Sequence, residues 1–357
     1  MLIVDAHEDL AWNIASFGRD YTHSAGWTRA REARSEVPAS TGNSLLGLDD
    51  WLRGEVALIF ATIFVAPIRS QAGPWETQVY ASAAEAHRLA NAQLDIYHRL
   101  ADDRPRFRLV GTQGDLQAVL DSWEEGSPPE ERLIGLMPSL EGADPILEPE
   151  EVEAWYERGL RAVGLAWEGT RYAGGTHEPG PLTRLGYELL EVMADLNMIL
   201  DLSHLAEESY FQAVEMYDRV MIASHSNPRR FLPTTRGLSD EMIALLAERD
   251  GVVGIVPYNL FLKPGWRRGS RREGVSLAVV VDAIDHVCQV TGSHRHVGIG
   301  SDFDGGLGLE HVPVEVDSVA DLQKLSGLLA GRGYEDGQIA DILSGNWLRL
   351  LREALPE

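Results

Sequence analysis

Leu2-Ile3-Val4-Asp5-Ala6-His7-Glu8-Asp9 is an apolar run that passes without a break into a histidine flanked by acids. The same succession recurs far along the chain, where Val297-Gly298-Ile299-Gly300 leads into Ser301-Asp302-Phe303-Asp304. Between them lie Val56–Val65, Leu133–Met137, Ala162–Ala166, Met198–Leu202, Val220–Ala223 and Gly251–Val256. Runs this short and this continuously apolar predict strands buried on both faces of a parallel sheet. Amphipathic stretches separate them, among them Ala81–Leu100, Leu185–Leu196 and Leu238–Arg249. The last contains Ser239-Asp240-Glu241, which reads as an N-cap and an acidic first turn. Eight strand–helix alternations close most simply as an α/β chain of the (β/α)8 TIM-barrel type. An open doubly wound sheet is the alternative, and the polar residues at the strand ends favour the barrel.

The chain has 357 residues, 44% hydrophobic and 24% charged, enough for a full core. No linker or repeat divides it, so residues 1–357 read as a single barrel domain. Two segments interrupt the rhythm: Phe17–Trp51 is a polar excursion, and Arg104–Glu131 is expected to form a helix and a surface loop. Lys+Arg number 31 against 55 Asp+Glu, a formal net charge of −24. That excludes a nucleic-acid backbone binder and disfavours an anionic membrane surface. Cys288 is the sole cysteine, so no intrachain disulfide forms and a reducing compartment is expected. The acidic N-terminus does not read as a signal peptide. The longest apolar stretch, Val56–Ile68, is too short to span a bilayer. The expectation is a soluble, cytoplasmic protein.

In a barrel the C-terminal strand ends surround one cavity. Five of them carry polar side chains suited to a metal: His7 and Asp9, Glu141, His204, His225 and Asp302. His7 and Asp9 are two apart, so an extended backbone turns both to one side. Imidazoles and carboxylates converging in this way suit Zn²⁺. His7 with Asp9 would serve one ion, His204 with His225 another, and the two oxygens of Glu141 could bridge them. Two such ions hold a hydroxide and polarise a carbonyl together.

Several of these stretches resemble the membrane dipeptidase (renal dipeptidase) family, the M19 metallopeptidases of the amidohydrolase-like barrels. They are Asp5-Ala6-His7-Glu8-Asp9-Leu10, Ser139-Leu140-Glu141-Gly142-Ala143, Leu182-Thr183-Arg184-Leu185-Gly186, Leu200-Asp201-Leu202-Ser203-His204 and Ala223-Ser224-His225-Ser226. Thr235-Arg236-Gly237-Leu238-Ser239-Asp240, Val297 through Gly305 and Gly345-Asn346-Trp347-Leu348-Arg349 complete the series in family order. The resemblance implies a zinc-dependent dipeptidase on a metal-dependent hydrolase barrel, with two zinc ions per chain and a dipeptide or acyl-amino-acid substrate. It also implies a homodimer. His7 and Asp9 then correspond to ligands of the first zinc, His204 and His225 to those of the second, and Glu141 to the bridge. Asp302 corresponds to the acid counted with the metal ligands that takes a proton from the nucleophilic water. Arg236 matches a substrate-holding arginine and Tyr258 a substrate-contacting tyrosine, although Val256-Pro257 departs from the usual Asn-Phe.

Gly164-Leu165-Ala166-Trp167-Glu168 carries a further departure, with Trp167 where the family has a histidine that stabilises the oxyanion. An indole offers one N–H and no cationic form. Loss of an oxyanion donor typically costs ~10²–10³ in rate unless another group replaces it. His177 in the following loop is the candidate substitute. A different amide or ester hydrolase of the same superfamily, or a catalytically impaired relative, is the competing reading. Sites bridged by a carboxylated lysine are excluded, because the only lysines, Lys263 and Lys324, lie in a loop and a late helical stretch. Asp302 is expected to be the base, with Asp304 the fallback.

Overall fold

The computed structural model describes all 357 residues. Eight parallel strands close on themselves in sequence order: β1 (Ile3–Glu8), β2 (Val56–Phe64), β3 (Ile134–Glu141), β4 (Ala162–Gly164), β5 (Ile199–Asp201), β6 (Met221–Ala223), β7 (Val252–Ile255) and β8 (Val297–Ile299). Closure runs through Asp5 of β1 opposite Ile299 of β8. The long β2–β3 pairing runs from Leu58 opposite Gly135 to Phe64 opposite Glu141. Every predicted strand is present, and β1, β4, β5, β6, β7 and β8 are buried at every position. The predicted helices form as well, each started by a hydroxyl that accepts a backbone N–H. Ser82 caps Ala83–Asp103, Thr183 caps Arg184–Asp195 and Ser239 caps Asp240–Glu248.

The two interrupting segments are more ordered than expected. Phe107–Leu109 is a ninth strand that pairs in parallel with Ile134–Leu136, and the helix Gln113–Asp121 follows it. The reason is a length mismatch. β4 has three residues and pairs only with Ser139–Glu141 of the eight-residue β3, so the first half of β3 presents an edge that needs covering. The polar excursion forms the helices Ala25–Glu32, Val37–Thr41 and Leu48–Arg53. It is tied to the barrel by Asp304, a buried carboxylate that accepts from Arg19 Nη1 (3.0 Å), Tyr21 Oη (2.8 Å), Ser44 Oγ (2.7 Å) and Leu45 N (2.9 Å). A carboxylate with four donors is held in structure and is not free to serve as a base, so the fallback assignment fails. The loop after β4 contains an antiparallel hairpin, Ala173–Gly175 with Glu178–Leu182. The helix Asn346–Ala354 packs against β1 and β8. No helix is long and apolar enough to cross a membrane.

Candidate metal centre

The donors meet at the C-terminal mouth of the barrel. β1 delivers His7 and then Asp9, which occupies the N-cap position of the helix Leu10–Phe17 without spending its carboxylate on a cap. Glu8, between them, points the other way and accepts from Trp51 Nε1 (3.0 Å). Glu141 ends β3, while His204, His225 and Asp302 stand just beyond β5, β6 and β8. His204 and Asp302 hold positive φ values of 66° and 58°, the left-handed region, at the turns that leave their strands.

Glu141 splits its carboxylate between two groups. Its Oε1 lies 3.2 Å from both His204 Nε2 and His225 Nε2, and its Oε2 lies 3.6 Å from His7 Nε2. His7 Nε2 is also 3.6 Å from Asp9 Oδ2 and 4.0 Å from Asp302 Oδ1. Three donor groups are close enough to share a cation, Glu141/His204/His225, His7/Asp9/Asp302 and His7/Asp201/His225, and in the third Asp201 is already engaged by Ser203 and Ser224. Both ring nitrogens of His7 are buried with no hydrogen-bond partner, a costly state that a bound cation relieves at Nε2. The donor chemistry and the orphaned imidazole therefore fit metal ions.

Electrostatics divides the clusters. Burial pushes His204 down to about 4, with Arg236 adding to the effect. Burial and then His7 hold His225 well below the ordinary histidine range. Both shifts favour the neutral imidazole, the form that can donate to a cation. Burial opposes charge on His7, but Glu141 and Asp9 outweigh it and hold His7 well above that range. Burial likewise opposes ionisation of Glu141, and the three histidines reverse it, so its carboxylate sits well below the usual range. Asp302 lies well above its ordinary value through burial, with Asp9 and Glu141 adding and His7 opposing.

A supporting shell fixes the imidazoles. Asp201 accepts from the Ser203 and Ser224 amides (both 3.0 Å) and from Ser224 Oγ. Ser224 Oγ spends its one proton there, so at 2.7 Å it accepts from His225 Nδ1 and leaves the lone pair on Nε2. Thr176 Oγ1 donates to the His204 carbonyl (3.3 Å) and stands 3.0 Å from His204 Nδ1, with the same consequence. Gly254 and Gly300 make room for this backbone: a Cβ on either would sit 1.8 Å and 1.7 Å from the Ser224 carbonyl oxygen. Asp201, Ser224 and Thr176 received no role from sequence. The available signal was a carboxylate at the end of an otherwise apolar strand, two residues before a serine-histidine pair.

Arg236 is buried beside the centre, donating from Nη1 to Ser226 Oγ (2.8 Å) and from Nη2 to the His225 carbonyl (2.6 Å). Trp167 packs 5.1 Å from the Phe64 ring and 6.2 Å from the His204 ring, so it flanks the donors. Tyr258 is buried against Phe261, and its hydroxyl accepts from Arg268 Nε (3.3 Å). His177 does not replace a histidine at position 167. It is an exposed residue at the turn of the hairpin, with φ 66°.

The family model for membrane dipeptidase (peptidase family M19) matches residues 1–355. The chain belongs to the membrane dipeptidase family. Among its relatives, an uncharacterized protein in the pqqA 5′ region of Klebsiella pneumoniae is 30% identical over 254 residues, 68% of this chain and 91% of that one. Dipeptidase aclJ of Aspergillus oryzae is 26% identical over 355 residues, 98% of this chain and 77% of the relative. A metallopeptidase from Rhodobacter sphaeroides, solved with a phosphinate mimic of the dipeptide L-Ala-D-Ala, superposes with TM-score 0.78 at 23% identity and covers 99% of both chains. At that identity the likeness concerns the fold, which for this membrane dipeptidase relative is the same closed barrel.

Proposed function

We propose that this member of the membrane dipeptidase family is a zinc-dependent dipeptidase that uses two ions, with residues 1–357 acting as one unit. The observation that carries the reading is Glu141, whose two oxygens each face a separate set of donors (3.2 and 3.6 Å). His7, Asp9 and Asp302 would hold one zinc, His204 and His225 the other, and Glu141 both. When bound, the ions supply an activated water and Lewis-acid polarisation of the scissile carbonyl.

The remaining work falls to side chains. Asp302 accepts the proton of the attacking water and returns it to the leaving amine. Arg236 has committed two of its N–H donors to Ser226 and His225, leaving others for a substrate carboxylate. Tyr258 contacts the substrate from the β7 side. Trp167 replaces an oxyanion donor with an apolar wall, which supports a narrower substrate range. The phosphinate dipeptide mimic bound by the Rhodobacter relative supports a dipeptide over other amides. One cysteine and a charge of −24 support a soluble form in the cytoplasm, and a homodimer is the proposed assembly.

The test is a panel of L,L and L,D dipeptides offered to zinc-loaded protein, with metal counted in the same sample. Hydrolysis that requires about two ions per chain is the expected result. Full metal occupancy with no dipeptide cleaved overturns the reading.

A further inference from the structure

The segment Lys263-Pro264-Gly265-Trp266-Arg267-Arg268-Gly269-Ser270-Arg271-Arg272 holds five cations and no acid, in a chain with 55 acidic residues against 31 basic ones. It lies in the loop that follows β7, on the face where the donors gather. Ile255 of β7 pairs with Ile299 of β8, and Tyr258 and Asp302 each stand three residues further on, so both reach the same rim.

Arg268 ties this loop to the centre. Its Nε donates to Tyr258 Oη (3.3 Å) and its Nη2 to the Gly306 carbonyl (2.6 Å). Gly306 follows Gly305, where a Cβ would lie 2.2 Å from Asp302 Oδ1 and 2.5 Å from Asp9 Oδ2. The Arg268 anchor is therefore one residue away from backbone packed against two of the donor carboxylates. The cations divide into two kinds. Lys263 Nζ donates to the Gly274 carbonyl (2.9 Å), and Arg272 Nη2 donates to the carbonyls of Pro313 (2.7 Å) and Val316, so these two fold the loop. Arg267 and Arg271 are exposed and form no ion pair, and Arg268 keeps Nη1 free of any partner.

We infer that Arg267, Arg268 and Arg271 form an anion-recognising rim, and that the preferred substrates are dipeptides carrying an extra carboxylate. The inference rests on the dipeptidase reading and deepens it. A charge of −24 repels an anionic substrate from most of the surface. A basic loop at the mouth reverses that field where the substrate enters, and guanidinium groups match a carboxylate in shape as well as charge.

The experiment compares kcat/KM for Ala-Asp, Asp-Ala, Ala-Ala and Ala-Lys, in L,L and L,D forms, at low and high salt. The proteins are wild type, the pair Arg267→Ala/Arg271→Ala, the pair Arg267→Lys/Arg271→Lys, and Arg268→Ala. Arg184→Ala/Arg352→Ala removes the same charge from exposed positions elsewhere. The expected result is a wild-type preference for one acidic dipeptide over Ala-Ala, cut about tenfold by the alanine pair and weakened by salt. The lysine pair should keep most of the preference, and the Arg184/Arg352 pair all of it. Arg268→Ala should lower it too, and the Arg267/Arg271 pair decides the matter if that variant folds poorly. Cleavage of neutral dipeptides with no acidic preference, or a preference that survives the alanine pair, overturns this inference and leaves the dipeptidase reading standing. An unchanged substrate ratio with altered oligomeric state on size exclusion would make the loop a protein-docking surface, which also overturns it. Failure to cleave any dipeptide overturns both.

Discussion

Replacing Glu141 by alanine tests the bridge directly. The carboxylate stands within 3.2 Å of His204 and His225 and 3.6 Å of His7, so its removal takes one donor from each ion position. Three protein donors then remain on one side, His7, Asp9 and Asp302, but only His204 and His225 on the other. Mutating even an outer partner of a metal ligand costs 10–100-fold in affinity, so losing a direct donor should cost at least about 100-fold, or ~2.7 kcal/mol, at each position. The two-histidine side should suffer more. On the His7 side there is partial relief, because Glu141 is the largest influence that raises the proton affinity of His7, and a less basic His7 competes less against the ion. The consequence for stability can be computed. With free zinc at 100 times the wild-type Kd, binding adds ~2.7 kcal/mol; after a 100-fold loss of affinity the same zinc adds only ~0.4 kcal/mol. The assay is metal content after dialysis against graded chelator, paired with thermal melting with and without zinc. Glu141→Gln, nearly isosteric, guards against a purely structural defect. If either variant retains two ions at wild-type chelator resistance, Glu141 does not bridge.

Asp302→Asn should retain metal on the His204/His225 side while kcat falls by about 10²–10⁴, the usual worth of a positioned acid–base group; near-wild-type turnover would make Asp302 structural. Ser224→Ala should weaken the ion at His225 by about 10–100-fold, measured by zinc titration, and Ser224→Thr should restore it. Zinc uptake by metal-free protein should release protons near neutral pH, read from buffer-dependent calorimetric heats. His7, held above its ordinary range, must give up a proton to the ion, whereas His204, pushed down to about 4, has none to lose. Affinity on the His7 side should therefore rise with pH until the His7 imidazole is neutral without metal, and acidification should empty that side first. Trp167→His should raise activity on simple L,L dipeptides if position 167 faces the scissile bond; a change in stability alone, with the substrate profile unaltered, would place Trp167 in the packing.

The barrel was legible because its strands are continuous apolar runs, and the polar residues at their ends marked a candidate site, although β1 finishes on Glu8, which serves Trp51 instead. Phe107–Leu109 escaped notice because three residues carry no periodicity; its existence depends on the mismatch between β3 and β4, a property of the assembled sheet. The role of Asp304 was hidden for the same reason. It looks like Asp302 in sequence, yet it meets Arg19, Tyr21, Ser44 and Leu45, which only the fold brings to it. His204, His225, His7 and Glu141 could be named as candidate donors from their joint placement at strand ends together with the family resemblance, but the division of the Glu141 oxygens is a matter of side-chain geometry. The arginines of Lys263–Arg272 show the opposite limit. Their clustering is plain in the sequence, while its meaning depends on Arg268 reaching Tyr258 and Gly306. Without those two bonds nothing would tie the arginines to the centre, although Lys263 and Arg272 would still fold the segment. With them it stands at the rim of the centre, in a chain whose net charge otherwise opposes anions, and electrostatics then argues for its acting on the substrate.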